Sequence, residues 1–505
     1  MPATTAFRRL TAHRWVLITL VLGVFAAVSR LTMLHRPTDA GTPVFDEKHY
    51  VPQSWQMARS WDNPLIGGIE DNPGYGLVVH PPLGKQLESF GMIIFGYTPW
   101  GWRIISALCA VAVVLLIAAI ARRLSRSDLV GLLAGILALS DGILFVTSRS
   151  GMLDNFQTLC LCLAAYCLVR DAHSQDALWS RAGDRVLTHP LGLRAGFRWW
   201  RFLSGVCLGM ALSIKWSGLY YMAFAGVAIV CVDWVRRRRF RTQAPLKGML
   251  SLDAFPAFAS LVILPALVYL LSWRAWFASE TGVFRHAVES SKYSETEGWA
   301  WSFLPETVQN FIYYHVSVME FHTSLTNSAG HHHSWESKPW SWLVSSRSLM
   351  YYNPDLEGVH KSVLLVGTPA IWWLTVPVLL WGLWCLVIHK DRRWVVPTVG
   401  FAAGFIPWLF NLDRQMYLFY ALNLAPFLII AIAMTLGQIL RWRVQPAQPS
   451  RYAAFRFLQG NAGAILVVGY VSFAVWNFLF FLPIYTAMPL TDAEWAARMW
   501  LPSWR

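Results

Sequence analysis

WVLITLVLGVFAAVSRLTML, running from Trp15 to Leu34, decides the class of this chain. A helix needs roughly 20 apolar residues to cross a bilayer, and this run supplies them with Arg30 as its single charge. Arg8, Arg9 and Arg14 precede it, the basic flank of a targeting sequence. Ala26-Ala27-Val28 leads straight into Ser29-Arg30, so no small-x-small cleavage site follows and the run reads as an uncleaved signal-anchor.

Outward from it the same texture repeats. Apolar runs cover about 14–34, 102–121, 128–147, 151–169, 202–216, 217–235, 254–273, 362–389, 394–410, 416–440 and 462–484, which predicts about 11 transmembrane helices. A chain with 55% hydrophobic and only 14% charged residues fits an all-α polytopic membrane protein and excludes an ordinary soluble domain. The net charge of +14 does not point to nucleic acid, because the basic residues sit in short clusters between apolar runs. Those clusters are Arg122, Arg123 and Arg126; Arg181 to Arg201; Arg236 to Arg239; Lys390, Arg392 and Arg393; and Arg441 to Arg456. Cytoplasmic loops are enriched in Lys and Arg, so an N-terminus inside places every cluster on the cytoplasmic face.

This orientation leaves two large extracytoplasmic loops, 35–101 and 274–361. The chain divides into a catalytic membrane module over 1–273, the second outer loop over 274–361, and C-terminal helices with a short outer tail over 362–505. In the second loop Phe303, Leu304, Val308, Phe311, Ile312, His315 and Met319 recur at helical spacing after Pro305 and Glu306. Such a helix either lies on the membrane surface or packs on the other outer loop. All seven cysteines (109, 160, 162, 167, 207, 231 and 385) fall within predicted spans, so neither a disulfide framework nor a Cys-ligated metal is expected. There is no GxxxxGK loop, so ATP and cytoplasmic nucleotide sugars have no phosphate cradle here.

The residues with chemistry gather on the outer side. Phe45-Asp46-Glu47-Lys48-His49-Tyr50 follows the first span. Adjacent carboxylates do not face the same way on a regular element; one suits a base and the other an orienting role, or both are solvated. Val79-His80-Pro81-Pro82-Leu83-Gly84-Lys85 is a rigid bend that fixes His80 and Lys85. Lys85 there either meets a phosphate or snorkels. Arg103, Arg149, Asp154, Lys215, Asp413 and Arg414 all sit at outer span ends. A charge in a span costs about 2.5–3.5 kcal/mol and so faces a cavity or a partner. Together these cations suit a lipid phosphate, with Arg149–Asp154 pairing as the structural alternative. His331-His332-His333 invites a metal reading. Consecutive residues do not readily converge on one ion, and an aromatic, His-lined sugar wall fits better, so no metal is assigned.

Six stretches in chain order resemble the protein O-mannosyltransferase family, in its bacterial, actinobacterial-type form. They are Phe45-Asp46-Glu47, His80-Pro81-Pro82-Leu83-Gly84-Lys85, Ser148-Arg149-Ser150-Gly151-Met152-Leu153-Asp154, Lys215-Trp216-Ser217-Gly218-Leu219-Tyr220, His333-x-Trp335-x-Ser337-x-Pro339-x-x-Trp342 and Arg414-Gln415-Met416-Tyr417-x-Phe419-Tyr420. The loop 274–361 is too short for the β-trefoil (MIR) insertion of eukaryotic members. The resemblance implies a GT-C type glycosyltransferase bundle in the bacterial plasma membrane. It implies transfer of mannose from polyprenyl-phosphate-mannose to Ser or Thr hydroxyls of exported proteins, with inversion and an extracytoplasmic active site. It assigns Asp46 as the base, beside Glu47. Arg30, Lys85 and Arg103, then Arg149, Lys215 and Arg414, are the expected cations for the donor phosphate. His80, Asp154, His333, Trp335, Ser337 and Trp342 are the expected pocket residues.

The need for a divalent ion stays open. Docking on the protein secretion channel would give access to unfolded acceptors. A related transferase acting on a glycolipid or cell-wall glycan is the alternative. A transporter is disfavoured, because no internal repeat is visible and the charges cluster at the outer ends of the spans.

Overall fold

The computed structural model describes residues 2–61, 68–71, 78–289, 301–354, 356–443 and 452–505. Parts of both outer loops, and Arg451 of the last basic cluster, lie outside the described residues. The chain is a helical bundle with a helix on each predicted span. In order these are α1 (Pro2–Leu31), α2 (Glu47–Arg59), α3 (Leu83–Phe95), α4 (Pro99–Ser125), α5 (Asp128–Leu139), α6 (Gly142–Ser148), α7 (Asp154–Ala182), α8 (Trp199–Ile214) and α9 (Gly218–Arg239). Then follow α10 (Pro245–Ser272), α11 (Glu306–Ser324), α12 (Pro369–Val387), α13 (Arg392–Phe410), α14 (Ala425–Ile439), α15 (Ala453–Tyr485) and α16 (Asp492–Arg498). Among the described residues seven helices are long and apolar enough to cross a membrane, and α5 with α6 forms one further, bent span. Helix α7 is polar at both ends, while α8 and α14 are short, and they complete the predicted set.

α14 is the central helix, buried from Ala425 to Met434. By contrast α1 leaves Leu17, Leu20, Val24 and Phe25 exposed, as a lipid-facing helix must. All seven cysteines are free.

Three local features position the outer face. First, the third span breaks by 61° at Ser140-Asp141. The backbone groups freed by the break are satisfied inside the protein, as a membrane interior requires. Asp141 accepts from Leu144 N (2.8 Å) and Trp372 Nε1 (2.6 Å), and Thr368 Oγ1 accepts from Gly142 N (3.0 Å) and donates to Ser140 O (2.7 Å). Second, the chain between α8 and α9 is non-helical at Lys215. Gln157 Nε2 holds that break by donating to the carbonyls of Ala211 (3.1 Å) and Lys215 (2.9 Å). Third, the predicted span 416–440 is helical only in its second part. Residues Leu418–Asn423 form a 3₁₀ turn after extended Tyr417. Apolar texture alone does not separate this 3₁₀ stretch from α-helix.

The bundle also carries a two-stranded antiparallel sheet, β1 (Leu349–Tyr352) and β2 (Val363–Leu365), which the all-α reading did not contain. Of the two placements open for the loop helix, α11 shows packing on the other outer segment. Tyr314 and Val318 are buried with Trp273 and Trp276, and Tyr314 Oη donates to His80 O (3.2 Å). Met319 and the preceding Phe303 stay exposed on its other side.

Candidate active site

The turn after α1 separates the two adjacent carboxylates. Phe45 has φ 52°, the left-handed region that side chains other than glycine rarely adopt. Its ring stacks on Tyr351 of β1, centroids 4.3 Å apart, which holds it there. Asp46 then opens α2, its carbonyl accepting from the amides of His49 (3.0 Å) and Tyr50 (3.2 Å).

Glu47 is fully buried. It takes Nε and Nη2 of Arg103, each at 2.7 Å, with Val44 N at 3.1 Å and Gly151 N at 2.7 Å. This fork-to-fork pair binds the start of α2 to α4 and to the α6–α7 turn. A carboxylate so enclosed has no lone pair left for substrate, which corrects the expectation of Glu47 as a group touching the reactants.

Asp46 is the opposite case. It is half-buried, and its side chain accepts no hydrogen bond from any described residue. Burial pushes its carboxyl up to about 6, with Lys215 pulling down and Asp154 pushing up. Asp154 is buried and accepts from Lys215 Nζ at 2.7 Å. Lys215 in turn lies 5.3 Å from the ring centroid of Phe419. Asp46, Asp154 and Lys215 are therefore one electrostatic cluster drawn from three separate elements.

His80 and Arg414 flank it. His80 lies 5.8 Å from both Tyr50 and His322, ring to ring. Burial, followed by the nearby cations and His322, holds its imidazole well below the ordinary value, so it is neutral. His322 Nε2 contacts Val79 O (3.1 Å) and its Nδ1 contacts Arg414 Nη2 (3.0 Å). A carbonyl only accepts, so Nε2 carries the proton and Nδ1 accepts from Arg414. Burial and then Arg414 lower His322 to about 4, consistent with that neutral tautomer. Arg414 Nε is buried without a hydrogen-bond partner among the described residues.

Other expected phosphate ligands are engaged elsewhere. Arg103, besides Glu47, donates to the carbonyls of Leu34 (3.1 Å) and Pro37 (2.8 Å). Lys85 is fully buried and gives Nζ to Glu70 (2.6 Å) and Gln53 (3.3 Å). Arg149 donates to the carbonyls of Ser29, Arg30 and Met33, closing the C-terminus of α1 where the helix dipole favours a cation. Arg30 is buried, donating to Ser29 Oγ (2.7 Å) and Ala138 O (3.2 Å). Each of these four is held by protein groups, and the structure brings none of them into the Asp46–Asp154–Lys215 cluster. The sequence showed where each cation stood but not its partner: Glu47 lies 56 positions from Arg103.

The 333–342 motif divides as well. Trp342 is fully buried and donates Nε1 to Ser337 Oγ (2.8 Å), while Ser337 N donates to Met416 O (2.7 Å). Both tie the outer loop to the bundle and neither lines an open pocket, contrary to expectation. His333 is exposed, its ring 5.5 Å from Tyr417, and Trp335 packs half-buried at the edge of the core.

The three consecutive histidines form no ligand cluster. The candidate metal group among the described residues is His286, Glu289 and Glu306, all exposed. Sequence reading missed His322, whose signal was its place on the same predicted helix as His315. Gly151, which the 148–154 motif contains without a role attached to it, donates its amide to Glu47 (2.7 Å), and a Cβ there would lie 2.4 Å from Glu88 Oε1.

Comparison with known proteins places the family and the fold. Residues 72–279 match the family described as dolichyl-phosphate-mannose-protein mannosyltransferase, and residues 307–504 match the C-terminal four-helix region of protein-O-mannosyltransferase. A protein of Corynebacterium glutamicum is 50% identical over 100% of this chain and 96% of its own length. One of Mycobacterium tuberculosis is 42% identical over 97% of this chain and 92% of its own. Both carry the name polyprenol-phosphate-mannose–protein mannosyltransferase. The Saccharomyces cerevisiae Pmt1-Pmt2 complex bound to the sugar donor shares the fold, with TM-score 0.71 at 16% identity, covering 97% of this chain and 93% of that one. The archaeal oligosaccharyltransferase AglB of Archaeoglobus fulgidus shares it more distantly, with TM-score 0.53 at 12% identity over 97% of this chain and 58% of that one.

Proposed function

The chain belongs to the protein O-mannosyltransferase family, and from that premise we propose how its outer cluster carries out the transfer. The protein is a GT-C glycosyltransferase that moves mannose from polyprenyl-phosphate-mannose to Ser or Thr hydroxyls of exported proteins. A hydroxyl is a poor nucleophile and needs a base within hydrogen-bond reach. Asp46 is that base. The observation that carries this is its free carboxylate, beside a Glu47 wholly engaged by Arg103.

The acceptor oxygen attacks the anomeric carbon as its proton passes to Asp46. The bond from that carbon to the phosphate oxygen breaks on the opposite side, inverting the β-phosphate to an α-mannoside. The departing polyprenyl phosphate takes the electron pair and needs cations, not an acid. Lys215 and Arg414 supply them. Asp154 keeps Lys215 in place, and His322 keeps Arg414 in place. His80, neutral beside them, lines the sugar side with His333 and Trp335. The reading routes no step through a metal.

The site lies in the extracytoplasmic leaflet of the bacterial plasma membrane, with the N-terminus in the cytoplasm. The separation of the catalytic cluster from the arginine clusters supports that orientation. On that face an acceptor leaving the secretion channel unfolded would present its hydroxyls to Asp46.

The test uses membranes carrying the native chain or Asp46→Asn at equal expression, with radiolabelled polyprenyl-phosphate-mannose and a Ser/Thr-rich peptide. Label should reach the peptide with the native chain and fall at least about a hundredfold with the variant. Undiminished transfer by Asp46→Asn removes Asp46 from the base role, and label found only in glycolipid moves the acceptor to the alternative class.

A further inference from the structure

A furrow of about 720 Å³ lies between α7, α9 and α13, away from the Asp46 cluster. On α9 its lining runs from Tyr221 to Arg239. At 1.5 Å per residue that is roughly 27 Å, so the acyl chains of one leaflet, which reach about half of the roughly 30 Å hydrocarbon core, have room to lie along it from either end. Its walls are apolar for most of that length, with Leu161, Ala165, Ala228 and Val396 among them. One end is different. There Arg126, Arg236, Arg239, Lys390, Arg392 and Arg393 face only Asp176 and Asp391 as lining carboxylates.

The pairing at that end is incomplete. Arg393 is taken by Asp391 (2.7 Å). Asp176 alone is shared by Arg236 (2.8 Å), Arg392 (3.2 Å) and Arg239 (3.9 Å). Arg236 also reaches Asp233, yet among the described residues its Nη2 has no hydrogen-bond partner although its side chain is only 2% exposed. The Arg126 side chain has no hydrogen bond or ion pair with any described residue. A solvated basic cluster would follow from membrane orientation alone. A buried, under-paired arginine at the mouth of an apolar furrow does not, because an unsatisfied charged donor out of water is costly.

We propose that this furrow binds one anionic phospholipid of the leaflet opposite the catalytic cluster, its acyl chains along α9 and its phosphate among Arg126, Arg236 and Arg392. The guanidinium fork matches phosphate oxygens in pairs, which selects an anionic phosphodiester over a zwitterion whose own cation is repelled by the rim. The site is separate from the donor's, and its occupancy does not depend on the proposed roles of Asp46, Lys215 or Arg414.

The test is native mass spectrometry of the full-length chain released from nanodiscs holding equal phosphatidylglycerol and phosphatidylcholine of identical acyl chains. One phosphatidylglycerol should remain bound under activation that strips phosphatidylcholine. Arg126→Ala/Arg392→Ala should lower that retention at least about tenfold. Ala228→Trp, which fills the furrow and leaves every charge in place, should lower it as well. Mannosyl transfer to peptide, measured on the same preparations, reports that the variants are folded. Equal retention of the two lipids overturns the proposal, and so does retention indifferent to Ala228→Trp, which would place the lipid on the surface. Displacement of phosphatidylglycerol by added polyprenyl phosphate at equimolar amounts would make the furrow part of the donor site and also overturns it.

Discussion

Arg103→Met separates a scaffold role from a ligand role for a cation that charge alone would give to the donor phosphate. In the structure Arg103 answers Glu47 with two hydrogen bonds of 2.7 Å and closes the carbonyls of Leu34 and Pro37. Removing it leaves Glu47 buried with only two backbone amides, from Val44 and Gly151. Losing one partner of a buried ion pair costs about 3–5 kcal/mol. That is a large part of a net stability that is typically about 5–15 kcal/mol. Glu47→Gln alone strands the guanidinium instead and should be comparably harmful. The double variant removes both charges, so it should be less unstable than the sum of the singles, with a coupling of about 3 kcal/mol. The assay is unfolding of the purified full-length chain in micelles for native, both singles and the double, with donor KM measured alongside. The reasoning fails if Arg103→Met raises donor KM while leaving stability unchanged and the two substitutions simply add.

Further outcomes follow from the site and its supporting shell. With the Asp46 carboxyl at about 6, kcat/KM should fall as pH drops through that value, because the base becomes protonated. Lys215 lowers that carboxyl, so Lys215→Met should move the acid limb to higher pH besides weakening donor binding, and an unmoved limb would uncouple the two groups. The same shift has a stability sign: a carboxyl raised in the folded state makes folding more favourable as pH falls from 7 toward the unfolded value near 4, so unfolding midpoints of Asp46→Asn should lose that part of the pH slope. His322→Ala should raise donor KM several-fold with a smaller change in kcat, since Arg414 would lose its orienting acceptor, while His322→Gln should retain part of the affinity. Gly151→Ala should lower stability by about 1–3 kcal/mol through overpacking, read from the unfolding midpoint, because its Cβ would lie 2.4 Å from Glu88 Oε1.

Most of the fold could be read from length and hydropathy, because a bilayer leaves the chain few choices. The break at Ser140-Asp141 could not, and the polar interruption at Lys215 marked a boundary between spans without showing what holds it, since what permits each break is a distant residue. Thr368 and Trp372 support the first and Gln157 the second. The site followed the same division. Asp46 could be placed by its motif and its position after the first span. The partners of the cations could not, because Glu70 and Glu47 become ligands of Lys85 and Arg103 only when α2, α3 and α4 pack together. Trp342 and Ser337 were misplaced for a related reason: a motif records which residues are needed, not whether they serve the substrate or the walls.

That distinction gives a physical criterion for the substrate-facing groups. Charges withdrawn from water must be paired, and the outer end meets this with Glu47–Arg103, Glu70–Lys85 and Asp154–Lys215. Ionisable groups there that depart from it among the described residues are Arg30 Nε, Glu88 Oε1, Arg414 Nε and the Asp46 carboxylate, and the last two belong to the Lys215 cluster. Among the described residues the Asp46 carboxylate has no hydrogen-bond donor and Arg414 Nε no acceptor, and Lys215 acts on Asp46 while His322 links the two cations. A hydroxyl that must lose a proton meets the first need and a phosphate that must gain charge meets the second. Within the Lys215 cluster the two incomplete groups are thus of opposite kinds, as a displacement at a sugar carbon between an alcohol and a lipid phosphate requires. The same criterion marks the far end of the bundle, where Arg236 Nη2 is incomplete beside an apolar furrow with no complementary base, so the charge there suits binding and not transfer.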